Sequence, residues 1–244
     1  MHYRPAGERP LLWLSDAVKA PPSAIRGGVP LCWPWFGPHP GDKAQPAHGV
    51  ARTGLWQWRV LNFAADALAL RLEPLQPLWP GLAPVLSVQV RNRQLALRLE
   101  TLNSGSEHVS LGQALHSYLA VGDVARCELV GLDGCDYLDK LQNGRRMQQN
   151  GAPCLTAALD RVYCHQGVTE LVDPVWQRRL RVTKEGSGST VVWNPGDGAG
   201  ALADVGQAQR SQFVCVEAAN TGLDPVTLAP GERHCLATNL SILD

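Results

Sequence analysis

One histidine of this sequence lies in a short segment with the alternation of a β-strand. In ALHSYL at 114–119, His116 and Tyr118 fall on one face of the predicted strand, and Leu115 and Ser117 fall on the other. Imidazole titrates near neutral pH, so His116 on a concave sheet face is suited to donate a proton and take it back. The alternative is a structural histidine whose ring is satisfied by its neighbours.

A carboxylate follows an apolar run near the C-terminus. FVCVE at 213–217 predicts a buried strand that ends on Glu217. An ionised carboxylate buried without partners costs several kcal/mol or shifts its pKa upward. We therefore expect Glu217 at a strand end, hydrogen-bonded, or functional. The alternative is a glutamate on the rim, paired with an arginine.

Two arginines lie in distinctive surroundings nearer the N-terminus. Arg26 begins the segment RGGVPLCWPWFG, and Arg52 ends the segment HGVAR, which begins with His48. A guanidinium is a planar and permanently charged fork that suits phosphate. Neither arginine lies in a G-x-x-x-x-G-K-[ST] motif, so nucleotide binding through a P-loop gains no support.

The same segment offers material for a ligand pocket. Gly27 and Gly28 would let a ligand approach the backbone closely. Trp33 and Trp35 carry flat apolar faces of the kind against which sugar C–H surfaces stack. The alternative is that these tryptophans and the neighbouring prolines only pack a loop corner.

A further acid occurs in the segment LDRVY at 159–163. Asp160 stands just before a strand-like stretch, where it could contribute to a site. The alternative is an aspartate that initiates a turn, which is the usual role of a lone aspartate.

The elements that must position these residues alternate with a period of two. VLSVQV and LALRLE predict a hairpin that turns at 91–93. RRLRVTK and STVVWN predict a second hairpin around 185–188, and a third turn is predicted at 230–232, between VTL and HCLATNLSIL. We expect antiparallel, locally connected strands.

Few segments have a long amphipathic helical pattern, and 24 glycines and 18 prolines divide the chain into short elements. We predict an all-β sandwich with little helix. NPGDGAG at 194–200 predicts one long loop, and long loops on a rigid sandwich are where sites occur. With 244 residues and 45% apolar residues, the chain can bury a full core, and we expect one domain over 1–244.

Composition excludes several classes of protein. Lys plus Arg equals Asp plus Glu at 22 each, so the chain lacks the basic excess of a binder of nucleic acid or anionic membranes. The seven cysteines are odd in number and never spaced C-x-x-C, which argues against a disulfide framework and a zinc site. No signal peptide or membrane-spanning run is recognisable. We expect a cytoplasmic protein without a metal or cofactor.

Taken in order, six segments resemble the hexose-6-phosphate mutarotase branch of the aldose 1-epimerase family. They are IRGGVPLCWPWFG, HGVAR, ALHSYLAVGD, LDRVY, VVWNP and VCVEAAN, and they span nearly the whole chain. The resemblance implies a galactose-mutarotase-like β-supersandwich of two large antiparallel sheets, with a site in a groove on one sheet. Val50 stands where the motif usually has an aromatic residue. Relatives generally carry further N-terminal strands, so we expect a shortened start or a differently covered sheet edge.

The resemblance also implies an activity, the interconversion of α and β anomers of a hexose 6-phosphate, with glucose 6-phosphate as the expected substrate. His116 would be the general acid, Glu217 the general base, and the substrate-binding residues would be Arg26, His48, Arg52 and Asp160. Anomer exchange removes the proton of O1, protonates the ring oxygen and lets the open chain rotate about C1–C2. It requires no metal, nucleotide or covalent intermediate. We expect a monomer or weak homodimer whose partner is the phosphorylated hexose.

Three other functions stay open at this stage. A non-catalytic carbohydrate-binding module could use the same fold, because fold does not determine function. An aldose 1-epimerase acting on free sugars is the second. A glycoside hydrolase is the third and needs two carboxylates roughly 5–9.5 Å apart, which Glu217 and Asp160 could supply, but it leaves His116 without a role.

Overall fold

The computed structural model describes residues 3–19, 22–205 and 207–243, and within these ranges nearly all regular structure is β-strand. The strands are β1 (Leu31–Cys32), β2 (Trp56–Ala64), β3 (Ala67–Pro74), β4 (Leu82–Arg91), β5 (Gln94–Asn103), β6 (Val109–Leu111), β7 (Gln113–Leu115), β8 (Tyr118–Ala120), β9 (Glu128–Val130), β10 (Asp136–Asp139), β11 (Arg145–Gln148), β12 (Leu159–Cys164), β13 (Thr169–Asp173), β14 (Arg178–Glu185), β15 (Ser189–Asn194), β16 (Phe213–Asn220), β17 (Val226–Leu228) and β18 (Arg233–Leu243). Helix is confined there to short 3₁₀ turns at Val124–Arg126, Lys140–Gln142, Gly196–Ala201 and Gln207–Gln212.

The strands form two large sheets and one small one. The first sheet has the order β1-β7-β16-β15-β12-β10-β11, and β8 also pairs with β16. The second sheet has the order β2-β3-β4-β5-β18-β14-β13-β9, and β17 pairs with β6 separately. Each pairing between these strands is antiparallel. The predicted all-β architecture with little helix is confirmed.

The largest hydrophobic cluster lies between the two large sheets. Leu97 and Leu99 of β5 contribute to it from the second sheet, and Val214 and Val216 of β16 contribute from the first. Arg98, between the two leucines, is exposed. The alternation read from LALRLE is therefore the alternation between core and solvent.

The predicted turns are present, but one predicted hairpin is wrong. β4 and β5 pair directly and turn at 92–93. β14 and β15 do not pair with each other, because β14 lies in the second sheet and β15 in the first, so 185–188 carries the chain between sheets. The turn at 230–231 likewise joins β17 to β18 across sheets. Alternation predicts a strand but does not indicate which sheet receives it.

The connection between β15 and β16 differs from the predicted long loop. It contains the 3₁₀ turns Gly196–Ala201 and Gln207–Gln212. Its start is tied to its end by Asn194, whose amide donates to the carbonyl oxygens of Arg210 at 2.9 Å and Phe213 at 2.7 Å. The connection is thus a folded segment beside the sheet.

Strand β2 forms one edge of the second sheet and exposes apolar side chains. Trp58 is 66% exposed and Phe63 is 82% exposed. The expectation of a shortened start or a differently covered edge stays a prediction.

The structure can be compared with the predictions about disulfides and membrane-spanning segments. All seven cysteines are free thiols. In the described ranges, no helix has both the length and the apolar character needed to cross a lipid bilayer.

Gly49 marks the closest approach between two N-terminal segments. It forms a parallel bridge with Trp33 and has a φ of 75°. A Cβ at Gly49 would overlap the backbone carbonyl of Trp33, whereas a Cβ at Gly134, whose φ is 74°, would meet nothing within 4 Å. The two glycines share a left-handed backbone but differ in the space around it.

We expect Gly49→Ala to lower the free energy of unfolding more than Gly134→Ala, measured by urea denaturation. Left-handed φ costs both variants about 1–2 kcal/mol. Overlap with the Trp33 carbonyl adds about 1–3 kcal/mol for Gly49→Ala alone. Equal losses in the two variants would show that the approach to Trp33 is not a constraint.

Candidate active site

A cavity of about 170 Å³ is lined by all six residues for which a catalytic or substrate-binding role is predicted. They come from segments far apart in the chain and are Arg26, His48, Arg52, His116, Asp160 and Glu217.

The cavity lies on the face of the first sheet that points away from the second. Along β16, Val214 and Val216 point into the core between the sheets, so Glu217 points to the opposite face. In register, Glu217 stands beside Val191 of β15, and Val191 also lines the cavity. The site therefore occupies a groove on one sheet.

Glu217 is not at a strand end as expected. β16 continues for three residues beyond it to Asn220, whose side chain accepts from Gln113 at 2.9 Å and donates to the carbonyl of Gly186 at 2.8 Å. The Glu217 side chain is only 1% exposed, so the alternative of a rim glutamate paired with an arginine is wrong. Small residues, Ala218 and Ala219, let the buried strand continue past the carboxyl group.

His116 reaches Glu217 from a break between two strands. β7 ends at Leu115 and β8 begins at Tyr118, and both pair with β16. At the break, the backbone N–H of His116 donates to Pro30 at 3.1 Å instead of to a neighbouring strand of the ladder. This arrangement brings Nε2 of His116 to 3.4 Å from Oε1 of Glu217. Interrupted strand pairing is a common means of aiming a side chain into a site.

The remaining polar atoms of this pair are unsatisfied. Within the described residues, Nδ1 of His116 and Oε2 of Glu217 are buried and have no hydrogen-bond partner. Buried polar atoms are rarely left without a partner, so each such atom calls for an explanation, and a ligand is one.

Burial moves the two pKa values in opposite directions. It raises the pKa of Glu217 well above the ordinary carboxyl value, and the charge of Asp160 adds to this rise. It lowers the pKa of His116 well below the ordinary imidazole value, helped by His48 and Arg26. Without a ligand, the pair therefore favours an uncharged carboxyl group and an uncharged imidazole.

Aromatic side chains form a wall around His116. The Tyr118 ring stacks on the imidazole with centroids 4.7 Å apart and an interplanar angle of 14°. Trp193 meets the imidazole edge-on, with centroids 6.0 Å apart. Both aromatic residues line the cavity, which confirms that His116 and Tyr118 share a face.

The predicted stacking tryptophans lie elsewhere. Trp33 is fully buried in the core and donates its indole N–H to Thr101 at 2.9 Å. Trp35 is buried edge-on against Trp79. The alternative that they serve packing is the one that holds, and Trp193 lines the cavity instead. Alternation from Val191 through Trp193 could have indicated this.

Arg26 is held in place by two partners. Its Nε donates to Asp204 at 3.0 Å, and its terminal nitrogen donates to the Tyr118 hydroxyl at 3.1 Å. Gly27 does not serve ligand approach as expected, because a Cβ there would lie 2.6 Å from the backbone of Leu14. Its role is close packing of the chain beneath Arg26.

Arg52 has a freer guanidinium group. It donates to the carbonyl of Ala47 at 2.6 Å, and among the described residues it has no carboxylate partner. Its charge contributes to lowering the pKa of the neighbouring His48 to about 4, after the larger effect of burial.

His48 is uncharged at neutral pH because its pKa is so low. Its Nδ1 accepts from the backbone N–H of Gly37 at 3.4 Å, so the ring proton belongs on Nε2. The residue has a φ of 65°, a strained conformation for a non-glycine residue that is common at functional sites. His48 is thus arranged to donate a hydrogen bond.

Lys140 also lines the cavity, and no sequence motif predicted it as a site residue. Its ammonium lies 3.2 Å from Asp160 and 5.6 Å from the ring centroid of Phe36. Asp160 lies within β12, so the alternative of a turn-initiating aspartate is wrong. Lys140 begins a 3₁₀ turn, where no strand or helix period could indicate the direction of its side chain.

Known proteins resemble the chain over nearly its full length. The aldose 1-epimerase family matches residues 1–241. The chain belongs to the aldose 1-epimerase family. A protein from Cenchrus ciliaris named "Putative glucose-6-phosphate 1-epimerase" is 34% identical over an alignment of 249 positions, which covers 93% of this chain and 73% of that protein. A protein of the same name from Escherichia coli (strain K12) is 33% identical over 228 residues, covering 90% of this chain and 76% of that protein.

A solved structure agrees with the family assignment. The crystal structure of a "putative mutarotase" from Salmonella typhimurium superposes with a TM-score of 0.91 and 28% identity, covering 100% of this chain and 83% of that one. The predicted mutarotase-like sandwich and the predicted epimerase class of enzyme are confirmed.

The buried carboxyl of this family member predicts a stability effect that depends on pH. We expect Glu217→Gln to become increasingly more stable than the wild type as pH rises from about 4.5 toward 8. A carboxyl whose pKa is raised by folding binds more protons in the folded state, so the wild type loses stability as pH rises above the unfolded carboxyl pKa of about 4.3. The amide carries no such penalty.

Urea unfolding of both proteins across this pH range measures the effect. Glu128→Gln is the matched control, since Glu128 is exposed, and its difference from the wild type should stay nearly constant. A constant difference for Glu217→Gln would contradict the raised pKa.

Proposed function

We propose that this aldose 1-epimerase interconverts the α and β anomers of a hexose 6-phosphate, with glucose 6-phosphate as the first candidate. The observation that carries the proposal is surplus positive charge around a buried carboxyl–imidazole pair. Arg26, Arg52 and Lys140 line the cavity, and burial favours the protonated form of Glu217. Asp204 pairs with Arg26 and Asp160 pairs with Lys140, so the charge of Arg52 is the surplus among the described residues. A phosphate group supplies the negative charge that complements this surplus. The names of the relatives point to the same substrate.

The contact between His116 and Glu217 suits the chemistry of anomer exchange. The reaction needs one group that takes the O1 proton and one that protonates the ring oxygen. Ionised Glu217 performs the first step and protonated His116 the second, and the roles reverse on ring closure. In the uncharged pair, the carboxyl group of Glu217 carries the proton that His116 needs in order to act as the acid. Transfer of that proton along the 3.4 Å contact converts the resting pair into the reactive one.

The rest of the cavity suits a sugar ring. Trp193 and Tyr118 present apolar surface to its C–H groups. His48 donates a hydrogen bond through Nε2, and Asp160 accepts one from a sugar hydroxyl. Arg52, which lacks a carboxylate partner among the described residues, is the first candidate for the phosphate contact.

The alternatives from other functional classes account for less of this geometry. A non-catalytic carbohydrate module has no use for a buried carboxyl group with an unsatisfied oxygen beside an imidazole. A glycoside hydrolase leaves His116 without a role. The single domain, the cytoplasmic location and the monomeric or weakly dimeric state stay predictions.

Anomer exchange measured by NMR, with glucose 6-phosphate, galactose 6-phosphate and glucose, tests the function. We expect faster turnover of a phosphorylated sugar than of glucose. His116→Asn and Glu217→Gln should each lower turnover by roughly 10²–10⁴-fold, because each removes one proton-transfer group.

His108→Asn and Glu128→Gln are the matched controls, since both residues are exposed and lie outside the cavity. They should keep wild-type rates. Near-full activity of both cavity variants would refute the catalytic pair, and absence of exchange by the wild type would refute the activity.

We also expect Arg52→Ala to raise KM for the phosphorylated sugar by about 10-fold or more, while KM for glucose changes little. Loss of a charge-assisted hydrogen bond weakens binding of the phosphate alone. Arg59→Ala, at an exposed position of β2, is the control. Equal effects of Arg52→Ala on both sugars would move the phosphate elsewhere.

A further inference from the structure

We propose that Lys140 is a second phosphate contact and a determinant of specificity, which exchanges its ion pair with Asp160 for the phosphate of the substrate. This inference rests on the proposed function and names a residue that the family motifs quoted above do not contain. The structural basis is the pairing of the two side chains inside the cavity, with Nζ of Lys140 at 3.2 Å from Oδ2 of Asp160.

The backbone under Lys140 is held firmly while its side chain reaches the cavity. Asp139 caps the 3₁₀ turn by accepting from the N–H of Leu141 at 3.0 Å, and it also lies 3.4 Å from the guanidinium of Arg161. The Lys140 side chain itself is 39% exposed. A fixed backbone with a partly solvated ammonium suits a group that changes partner.

The positive charges of Lys140 and Arg52 lower the pKa values of the same groups. The pKa of His48 is lowered first by burial, then by Arg52 and then by Lys140. Both cations also act on the buried thiol of Cys32. Arg26 also lowers the pKa of His48, by less than Lys140 does, but its guanidinium group already binds Asp204 and Tyr118. Arg52 and Lys140 both line the cavity, and the proposal places the phosphate of the substrate between them.

The ion pair between Lys140 and Asp160 would let the enzyme distinguish phosphorylated from free sugars. A partly exposed lysine–aspartate pair is weak, so a phosphate with up to two negative charges competes for the ammonium. Once Lys140 binds phosphate, Asp160 is released to accept a hydrogen bond from a sugar hydroxyl. An unphosphorylated sugar must displace Lys140 from Asp160 without offering an anion in return. The pair thereby disfavours free sugars.

The test compares Lys140→Met on glucose 6-phosphate and on glucose by NMR exchange. We expect kcat/KM for glucose 6-phosphate to fall by about 10-fold or more, as for loss of a charge-assisted contact. For glucose, kcat/KM should rise by about 2- to 5-fold, since Asp160 is released from a weak ion pair. Lys140→Arg should keep most of the wild-type preference, and Lys43→Met, at an exposed position outside the cavity, is the control.

Inorganic phosphate provides a probe that does not depend on turnover of a phosphosugar. Inorganic phosphate should bind the wild type more tightly than Lys140→Met, measured by isothermal titration calorimetry in the absence of sugar. An unchanged substrate preference and an unchanged affinity for inorganic phosphate in Lys140→Met would overturn the inference while leaving the proposed function intact. A wild type that does not prefer the phosphorylated sugar would overturn both.

Discussion

The contact between a buried carboxyl group and a buried imidazole constrains the rest of the cavity. Glu217 is 1% exposed and the His116 side chain 14% exposed, so water compensates little of the cost of either charge. Each group keeps one buried polar atom without a partner among the described residues. Such an arrangement persists only where the surrounding structure is stable enough to impose it, and here it is imposed from the middle of a buried strand.

The positive charges around this pair favour the charged form of Glu217 and disfavour the charged form of His116. Lys140 lowers the pKa of Glu217, whereas arginines lower the pKa of His116. Arg26, Arg52 and uncharged His48 lie near His116, and the arginine charges oppose the charged form of the imidazole. A bound phosphate would offset these charges and make protonated His116 less costly. In the proposed reaction, phosphate binding and proton transfer are therefore coupled through the same arginines. A free sugar would occupy the ring site without this electrostatic compensation.

Sequence predicted the members of the site better than their surroundings. The alternation in ALHSYL predicted that His116 and Tyr118 share a face, and the two rings do stack although the strand is interrupted at His116. The order of six motifs predicted which distant segments meet. The sequence prediction chose Trp33, which is buried in the core, and passed over Trp193, which lines the cavity. The alternation from Val191 to Trp193 carried a signal for Trp193, but no such periodicity showed that Trp33 would pack into the core. It also ended the strand at Glu217, because burial of a carboxylate in mid-strand is unfavourable unless function requires it.

The two arginines show why residue type alone did not identify the phosphate contact. Arg26 and Arg52 have the same planar charge and line the same cavity. Arg26 has an acidic partner, Asp204, that comes from the connection between β15 and β16, nearly 180 positions later in the chain. Arg52 donates only to a nearby backbone carbonyl among the described residues. An arginine already satisfied by a carboxylate gains less from an incoming anion than one that is not. Arg52 is therefore the better candidate for the phosphate contact because Arg26 is already paired with Asp204. That pairing can be seen only in the folded chain.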